Sequence, residues 1–325
     1  MKIAVTGANG HVGAYLVRLL LKENYEVRVL VHTGSRALQD LNVESVQGDL
    51  DDTASLKHLC HDREVVIHLA VKIAIGSESY DEVYKVNVEG TRNLAIIAQK
   101  AGVKRFIHFS SIHALEQTPQ DKPLDESRPL ALYSKMVYEK TKALAEKFVL
   151  EQNRPGFQVI VLNPTAIIGP YDFKPSYIGQ VIQMIYKGRL PGLVPGGYNW
   201  VDVRDVAQAA IMAMEKGVPG ERYLLSGEWQ SLKNLAGIVC AQRDKNCRLP
   251  VFPFWLARMG VPFMALFARW KNREPLYTKT SLAILQSANQ HILHNKAGSV
   301  LNFSPRPLEK SVADTVSWFK KHQYL

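Results

Sequence analysis

The sequence predicts an α/β fold, a doubly wound parallel sheet with a smaller C-terminal domain. Three observations carry this expectation. Over the first 160 residues, short β-branched runs alternate with helix-patterned stretches, the rhythm of a parallel sheet covered on both faces. The first run, Lys2–Thr6, passes directly into spaced glycines and then a helical pattern. After Pro164 the rhythm breaks and turn residues crowd 169–175 and 191–197, which marks a second domain.

Taken in order, Lys2–Thr6 is the first strand and His11–Glu23 the first helix, apolar at helical spacing. Glu26–His32, Glu44–Gln47, Glu64–Leu69, Lys104–Ser110 and Phe157–Asn163 read as strands two to six. Helical patterns at Thr53–Cys60, Tyr80–Ala101 and Met136–Glu151 lie between them. Right-handed crossovers leave few topologies for such a chain, and the doubly wound one is the commonest. Residues 1–163 then form one domain and 164–325 mainly another. About 199–216 returns to the first domain, with Val203–Lys216 as a helix, and Arg222–Leu225 is a short strand.

Hydrophobic residues at 46% and charged residues at 22% exclude disordered, collagen-like and disulfide-scaffold classes. Cys60, Cys240 and Cys247 form no C-x-x-C pair. They suggest neither a zinc site nor a disulfide framework, and a reducing compartment is expected. The apolar run begins directly after Met1-Lys2, without room for a signal peptide, so a cytoplasmic location is the expectation. Of the net charge of +10, residues 240–325 hold 13 Lys+Arg against 4 Asp+Glu. That excess suits an anionic partner or a plain solvated face.

The glycines at 7, 10 and 13 in Thr6-Gly7-Ala8-Asn9-Gly10-His11-Val12-Gly13 have the spacing G-x-x-G-x-x-G. After a strand and before a helix, this pattern serves a tight turn, close approach to a pyrophosphate and a helix N-terminus of partial positive charge. Tyr138 and Lys142 form the only Y-x-x-x-K in the chain. About one such pair is expected by chance, so its context decides. The pair lies in a helical pattern, where residues four apart share a face, and Ser110-Ser111 ends the preceding strand.

In these residues the chain resembles the extended short-chain dehydrogenases/reductases, the NAD-dependent epimerase/dehydratase superfamily. The likeness continues in order through Gly48-Asp49-Leu50, His68-Leu69-Ala70, Asn87-Val88-Glu89-Gly90-Thr91, Asn163-Pro164-Thr165 and 199–207. It runs from residue 3 to about 226, and Arg306–Trp318 resembles the family's C-terminal end. The resemblance implies a Rossmann domain and a nicotinamide dinucleotide held by Gly7, Asn9, Gly10, His11, Val12 and Gly13. It extends the site to Asp49 and Leu50 at the adenine, then to Leu69, Ala70, Lys142, Asn163 and Thr165.

The second strand ends in Val31-His32-Thr33-Gly34-Ser35-Arg36, with no acid there to repel a 2′-phosphate. His32 and Arg36 are placed to face one. NADP(H) is therefore preferred over NAD(H), although the family's NADP-binding members often carry Arg where this chain has His32.

A hydride arriving at a carbonyl carbon leaves an alkoxide that must be protonated. The resemblance gives Tyr138 that role, Lys142 the charge that lowers its pKa and the ribose contact, and Ser111, rather than Ser110, the hydrogen bond to the substrate oxygen. Asn87 is the family's candidate for orienting Lys142 through water.

Other features are weighed more plainly. His291-x-x-His294 has a helical spacing but no third ligand, so no metal is expected. Thr165–Pro170 and Tyr171-Asp172 should line the substrate cleft, Tyr198 and Trp200 are pocket wall or core, and Arg204-Asp205 reads as a local ion pair at the domain junction. The stretch 251–270 holds Phe252, Phe254, Trp255, Phe263, Phe267 and Trp270, broken by Pro253, Arg258, Pro262 and Arg269. It is too interrupted to span a membrane, and a cap over an apolar pocket is preferred to a membrane face.

The expected activity is NADP(H)-dependent reduction of a ketone or aldehyde on a small apolar or aromatic substrate, similar to the dihydroflavonol-reductase branch. The alternative is a nucleotide-sugar epimerase or dehydratase with bound NAD. A non-catalytic NAD(P)-sensing protein of the same fold is a third, against which the complete Ser111/Tyr138/Lys142 set argues. A small molecule is the expected partner, nucleic acid is not, and a homodimer is left open.

Overall fold

A computed structural model describes residues 1–325 except 33, 35, 75–77, 244–248 and 262–277. Strands β1 (Lys2–Thr6), β2 (Glu26–Val31), β3 (Glu44–Gln47), β4 (Val65–His68), β5 (Arg105–Phe109) and β6 (Gln158–Pro164) follow one another in one sheet. Strands β7 (Ala166–Ile168) and β8 (Gly197–Asp202) leave it, β9 (Arg222–Leu225) returns, and β10 (Trp229–Ser231) leaves again. The main sheet has seven strands in the order β3-β2-β1-β4-β5-β6-β9, and all its pairings are parallel. The predicted doubly wound sheet is present; α7 and β9 return to it, whereas β8, which holds 199–202, pairs in the smaller sheet. The second lobe holds the three-stranded sheet β10-β8-β7.

Helices α1 (His11–Lys22), α2 (Thr53–Cys60), α3 (Tyr80–Tyr84), α4 (Thr91–Lys100), α5 (Val137–Glu151) and α7 (Val203–Lys216) cover the main sheet. The segment Lys85–Gly90, π-helical, joins α3 to α4. Helices α6 (Tyr177–Tyr186), α8 (Leu232–Ala241), α9 (254–261), α10 (Lys279–Ser287) and α12 (Leu308–Lys321) build the second lobe, while α11 (Asn295–Leu301) packs back against α7 and β9.

The local reasons are ordinary. Helix α1 buries Gly13, Ala14, Leu16, Val17 and Leu20, one stripe at 3.6-residue spacing. Asp52 and Asp202 cap α2 and α7, accepting from the Ala54 and Arg204 amides at 2.9 and 2.8 Å. One apolar layer joins α1 and α7 to the sheet, and a second, with Leu56, Leu94, Phe106 and Val149, fills the opposite face. Because β1 is flanked by β2 and β4, the crossovers diverge there and open a crevice at the strands' carboxyl ends.

Arg204 and Asp205 do not pair with each other, which corrects the local ion pair read from the sequence. Arg204 reaches Asp202 at 2.7 Å and Asp314 at 2.6 Å, while Arg306 reaches Asp205 at 2.5 Å. Successive residues on a helix point about 100° apart, so neighbours in sequence find different partners. Burial pushes the Asp202 carboxyl up, but hydrogen bonds from Arg204 and Ser311 outweigh it and hold it below the usual range. These pairs tie α7 to α12 and its approach. Cys60 is free and buried, its thiol pushed up to about 12 by burial. Cys240 is disulfide-bonded, which departs from the reduced thiols expected, and Cys247 lies outside the described residues.

Candidate active site

At the end of β1, Gly7 has φ +71°, in the region that favours glycine. A Cβ there would lie 2.6 Å from the Ala70 nitrogen, and one on Gly13 would lie 2.2 Å from the Gly7 oxygen. The missing side chains let the turn press against Leu69-Ala70 beyond β4 and let α1 press against the turn. Gly10 precedes α1 without a side-chain cap, and the first turn carries no acid. The N-terminal amides and dipole therefore meet the crevice with no built-in counter-charge, a cradle that fits a pyrophosphate. His11 faces the second lobe. Its Nε2 lies 3.1 Å from Gly169 O and 3.0 Å from Pro170 O, which joins the cradle to the second lobe.

On the far side of β1, His32 Nδ1 is 3.7 Å from Asp49 Oδ2, and Asp49 Oδ1 accepts from the Leu50 amide at 2.7 Å. Leu50 is buried in space left by Gly90, where a Cβ would come within 2.8 Å of it. The Arg36 guanidinium lies over the Tyr324 ring, 5.7 Å from its centroid.

The end of β5 and the first turns of α5 hold the candidate catalytic side chains. Ser111 caps the short 3₁₀ turn Ile112–Ala114, its oxygen accepting from the His113 amide at 3.2 Å. Tyr138, half-buried, hydrogen-bonds Ser111. Lys142, one turn further along α5, is 3% exposed and donates from Nζ to Phe109 O at 2.7 Å. Of the two serines, Ser111 meets Tyr138, while the buried Ser110 hydroxyl has no hydrogen-bond partner among the described residues.

Burial pushes the Tyr138 phenol above its ordinary value, and the Ser111 hydrogen bond opposes the rise. The family resemblance implies that Lys142 pulls this phenol down. Burial reverses that direction, since it penalises the phenolate while the Lys142 ammonium is turned onto Phe109 O. Burial also lowers the Lys142 ammonium to about 8, against the pull of Glu146.

A buried network stands behind these groups. Thr91 Oγ1 donates to Asn87 O at 2.7 Å and so accepts from His68 Nε2 at 2.8 Å. His68 Nδ1 then takes the Thr6 hydroxyl at 2.7 Å. Burial, with a smaller push from the Lys142 charge, takes His68 down to about 3, so it is a neutral strut between β1, β4 and α4. Asn87 accepts from the Lys72 amide at 2.8 Å and donates to Thr141 Oγ1 at 3.3 Å. Its contacts hold the loop after β4 against α5, and they reach the neighbour of Lys142 rather than Lys142 itself.

Asn163 is 0% exposed and donates to Ser111 O at 3.0 Å and Glu146 Oε2 at 2.7 Å. It sits behind Ser111, its Nδ2 joining β6 to α5, while its Oδ1 has no hydrogen-bond partner among the described residues. Thr165 Oγ1 bonds Leu225 O at 3.3 Å.

Glu146 escaped sequence reasoning, although its i, i+4 spacing from Lys142 was a signal. It also pairs with Arg222 at 2.9 Å, so β9 buttresses the site. His113 and Glu139 were missed as well: His113 Nδ1 is 3.7 Å from Glu139 Oε1, and the His113 ring stands edge-on to Tyr138, with centroids 6.3 Å apart. Nothing local in the sequence marked that pair.

Elsewhere, Trp200 is core, 3% exposed, with Nε1 on Gln230 O at 2.9 Å. Residues 291–294 are not helical, so His291 and His294 share no helix face. A cavity of about 320 Å³ is lined by Phe254, Leu285, Trp229, Gln120 and His291 among others, and none of the catalytic candidates lines it. Phe254 thus packs inward, whereas Phe252 and Trp255 are exposed. Phe263, Phe267 and Trp270 lie outside the described residues.

Comparison with known proteins bears on the same residues. The model of the NAD-dependent epimerase/dehydratase family matches residues 3–226, from the cradle through the Tyr138/Lys142 helix to β9. The chain belongs to that family. It is 34% identical to "Sterol demethylase protein B" of Methylococcus capsulatus over 99% of both chains. A provisionally named dihydroflavonol 4-reductase of Synechocystis sp. is 31% identical, over 99% of this chain and 95% of its own. Among solved structures, that of gox2253 superposes with a TM-score of 0.83 at 32% identity, covering 99% of this chain and 98% of the other. A nucleoside-diphosphate-sugar epimerase from Pseudomonas aeruginosa, at 23% identity and TM-score 0.80 over 100% and 99% of the two chains, shares the fold. The family and its reductase- and dehydrogenase-named relatives make this chain an NAD(P)-dependent oxidoreductase.

Proposed function

We propose that this oxidoreductase reduces the carbonyl of an apolar, ring-bearing or aromatic small molecule with NADPH. The observation that carries the reading is the hydrogen bond between Tyr138 and Ser111, with Lys142 one turn further along α5 and bonded to Phe109 O at the end of β5. Names among relatives support the substrate class: a 3-beta-hydroxysteroid dehydrogenase at 28% identity over 98% of this chain and the dihydroflavonol-named protein both point to ring ketones or their alcohols. The nicotinamide cofactor, when bound, supplies the hydride. Residues Gly7, Gly10 and Gly13 hold its pyrophosphate, with Asp49 and Leu50 at the adenine end and Lys142 at the ribose.

The chain's own part is the proton. Ser111 donates a hydrogen bond to the substrate oxygen, and Tyr138 gives its phenolic proton to the same oxygen as negative charge develops there. A phenol raised by burial is protonated at neutral pH, so this site is set for reduction. In oxidation the phenolate must be formed first, and the rate should climb with pH into the alkaline range.

NADPH is preferred on the same reading. Arg36 presents its guanidinium to an aromatic ring and has no carboxylate partner among the described residues. Asp49, the acid nearest His32, already accepts from Leu50. Arg36→Ala should weaken NADPH binding by about 1.5–3 kcal/mol, the range for a charge-assisted contact, and leave NADH nearly unchanged in a fluorescence titration. Equal losses for both cofactors would remove Arg36 from the 2′-phosphate.

Native mass spectrometry tests the reaction class. The purified protein should carry no tightly held NAD, take up NADPH, and oxidise it when cyclic or aromatic ketones are added. Retained NAD with turnover of a nucleotide sugar would replace the reductase with an epimerase.

A further inference from the structure

One surface lies apart from the crevice. Among the described residues, five exposed large hydrophobic side chains fall within the nine residues 251–259: Val251, Phe252, Trp255, Leu256 and Met259. Trp255 and Met259 are each 64% exposed and stand four apart on α9, hence on one face. Phe254 and Ala257, on the other face, pack into the second lobe's core. Helix α9 is therefore apolar on both sides, and the outward side has no partner within the chain among the described residues. Scattered exposed apolar residues are normal, but a contiguous set marks a contact surface.

The patch is held firmly. The Phe252 amide donates to Leu193 O and the Leu193 amide to Pro250 O, both at 2.8 Å, and Arg258 bonds Gln286 at 2.7 Å. The sequence around it is one-sided in charge. Residues 243–279 contain eight Lys+Arg and two Asp+Glu, a net of +6 out of +10 for the whole chain.

We infer that 251–259 is a docking face for an anionic lipid bilayer, with Trp255, Leu256 and Met259 entering the headgroup boundary and the basic sequence that flanks the patch favouring acidic headgroups. Three arguments select that occupant. A second copy of this chain would set one +6 segment against another. Nucleic acid would match the charge, but three of the five side chains, Met259, Leu256 and Val251, are aliphatic and give it neither a stacking surface nor a polar contact. An apolar helix face with a tryptophan and basic surroundings has the composition of a helix lying in the interface plane. Among the described residues no helix is long and apolar enough to cross a membrane, so the chain lies on the bilayer rather than spanning it.

The test reads binding, not turnover, and so stands apart from the reductase reading. The full-length protein is sedimented with phosphatidylcholine vesicles with and without phosphatidylserine, over a salt series. Binding should require phosphatidylserine and fall as salt rises. A Trp255→Ser/Met259→Ser variant should lose it at least about tenfold while keeping the parental melting temperature and NADPH affinity. Brominated lipid should quench the tryptophan emission of the parent more than that of Trp255→Phe, which reports insertion without relying on the double variant. Equal sedimentation of parent and double variant, no binding to phosphatidylserine vesicles, or equal quenching would each overturn the proposal. So would a parental dimer that the double variant dissolves, which would give the face to self-association.

Discussion

Tyr138→Phe should lower kcat for ketone reduction by about 10²–10⁴-fold, the usual contribution of a positioned acid, while NADPH affinity stays within about twofold. The substitution keeps the ring against His113 and removes only the hydroxyl that meets Ser111. Ser111→Ala should lower kcat less, through a weaker hold on the developing alkoxide. The pH profile separates this role from a structural one. With its phenol raised by burial, parental Tyr138 stays protonated at neutral pH. Alcohol oxidation should therefore gain nearly tenfold per pH unit between about pH 7 and 9, and that slope should vanish in Tyr138→Phe. Full turnover by the variant on a substrate the parent reduces would assign the proton to another group.

Lys142→Met should abolish turnover and yet make the folded protein more stable at neutral pH. The ammonium is 3% exposed and lowered from 10.5 to about 8, a burial cost of about 3 kcal/mol. A folded value below the unfolded one means that the cost is complete below pH 8, where both states are charged. It shrinks as the folded state releases its proton between 8 and 10.5, and is gone above that range. Losing the bond to Phe109 O returns about 1 kcal/mol, leaving a gain of about 2 kcal/mol at pH 7. Denaturant melts at pH 7 and at alkaline pH check this: the gain should be present in the first and absent in the second. A variant less stable than the parent at pH 7 would mean that Lys142 supports the fold as well as the chemistry. If Lys142 serves the proposed reduction, the site holds a charge against the preference of its surroundings because cofactor and proton donor need it there.

Much of the architecture was legible in the sequence. Lys2–Thr6, Glu44–Gln47, Thr53–Cys60, Val203–Lys216 and Arg222–Leu225 are elements with the bounds that the sequence suggested. Each is short, with an unbroken apolar run or an amphipathic period ended by a turn residue or a cap, so its signal is local. The glycines were legible for the same reason, since a backbone that must approach within 3 Å admits no Cβ. The stretch Tyr80–Ala101 read as one helix, and the structure inserts a π-helical segment at Lys85–Gly90. Widened turns of this kind gather at functional positions, and periodicity alone did not show it.

The sequence by itself determined the sheet and the glycine turn, because those follow from spacing along the chain, and its family resemblance nominated Ser111, Tyr138 and Lys142 as the candidate proton-moving set. Only the tertiary structure decided how those side chains are tuned. Burial set Tyr138 high and Lys142 low, where the resemblance implied an ammonium depressing a phenol. Packing sent Arg204 and Asp205 to separate partners on the C-terminal segment and put Asn163 behind Ser111. It also turned Phe254 inward while leaving Trp255 and Met259 bare. The physical reason is common to all of these. Desolvation and ion pairing depend on what surrounds a group in three dimensions, and residues from β5, α5, β6, β9 and α12 become neighbours only when the chain has folded.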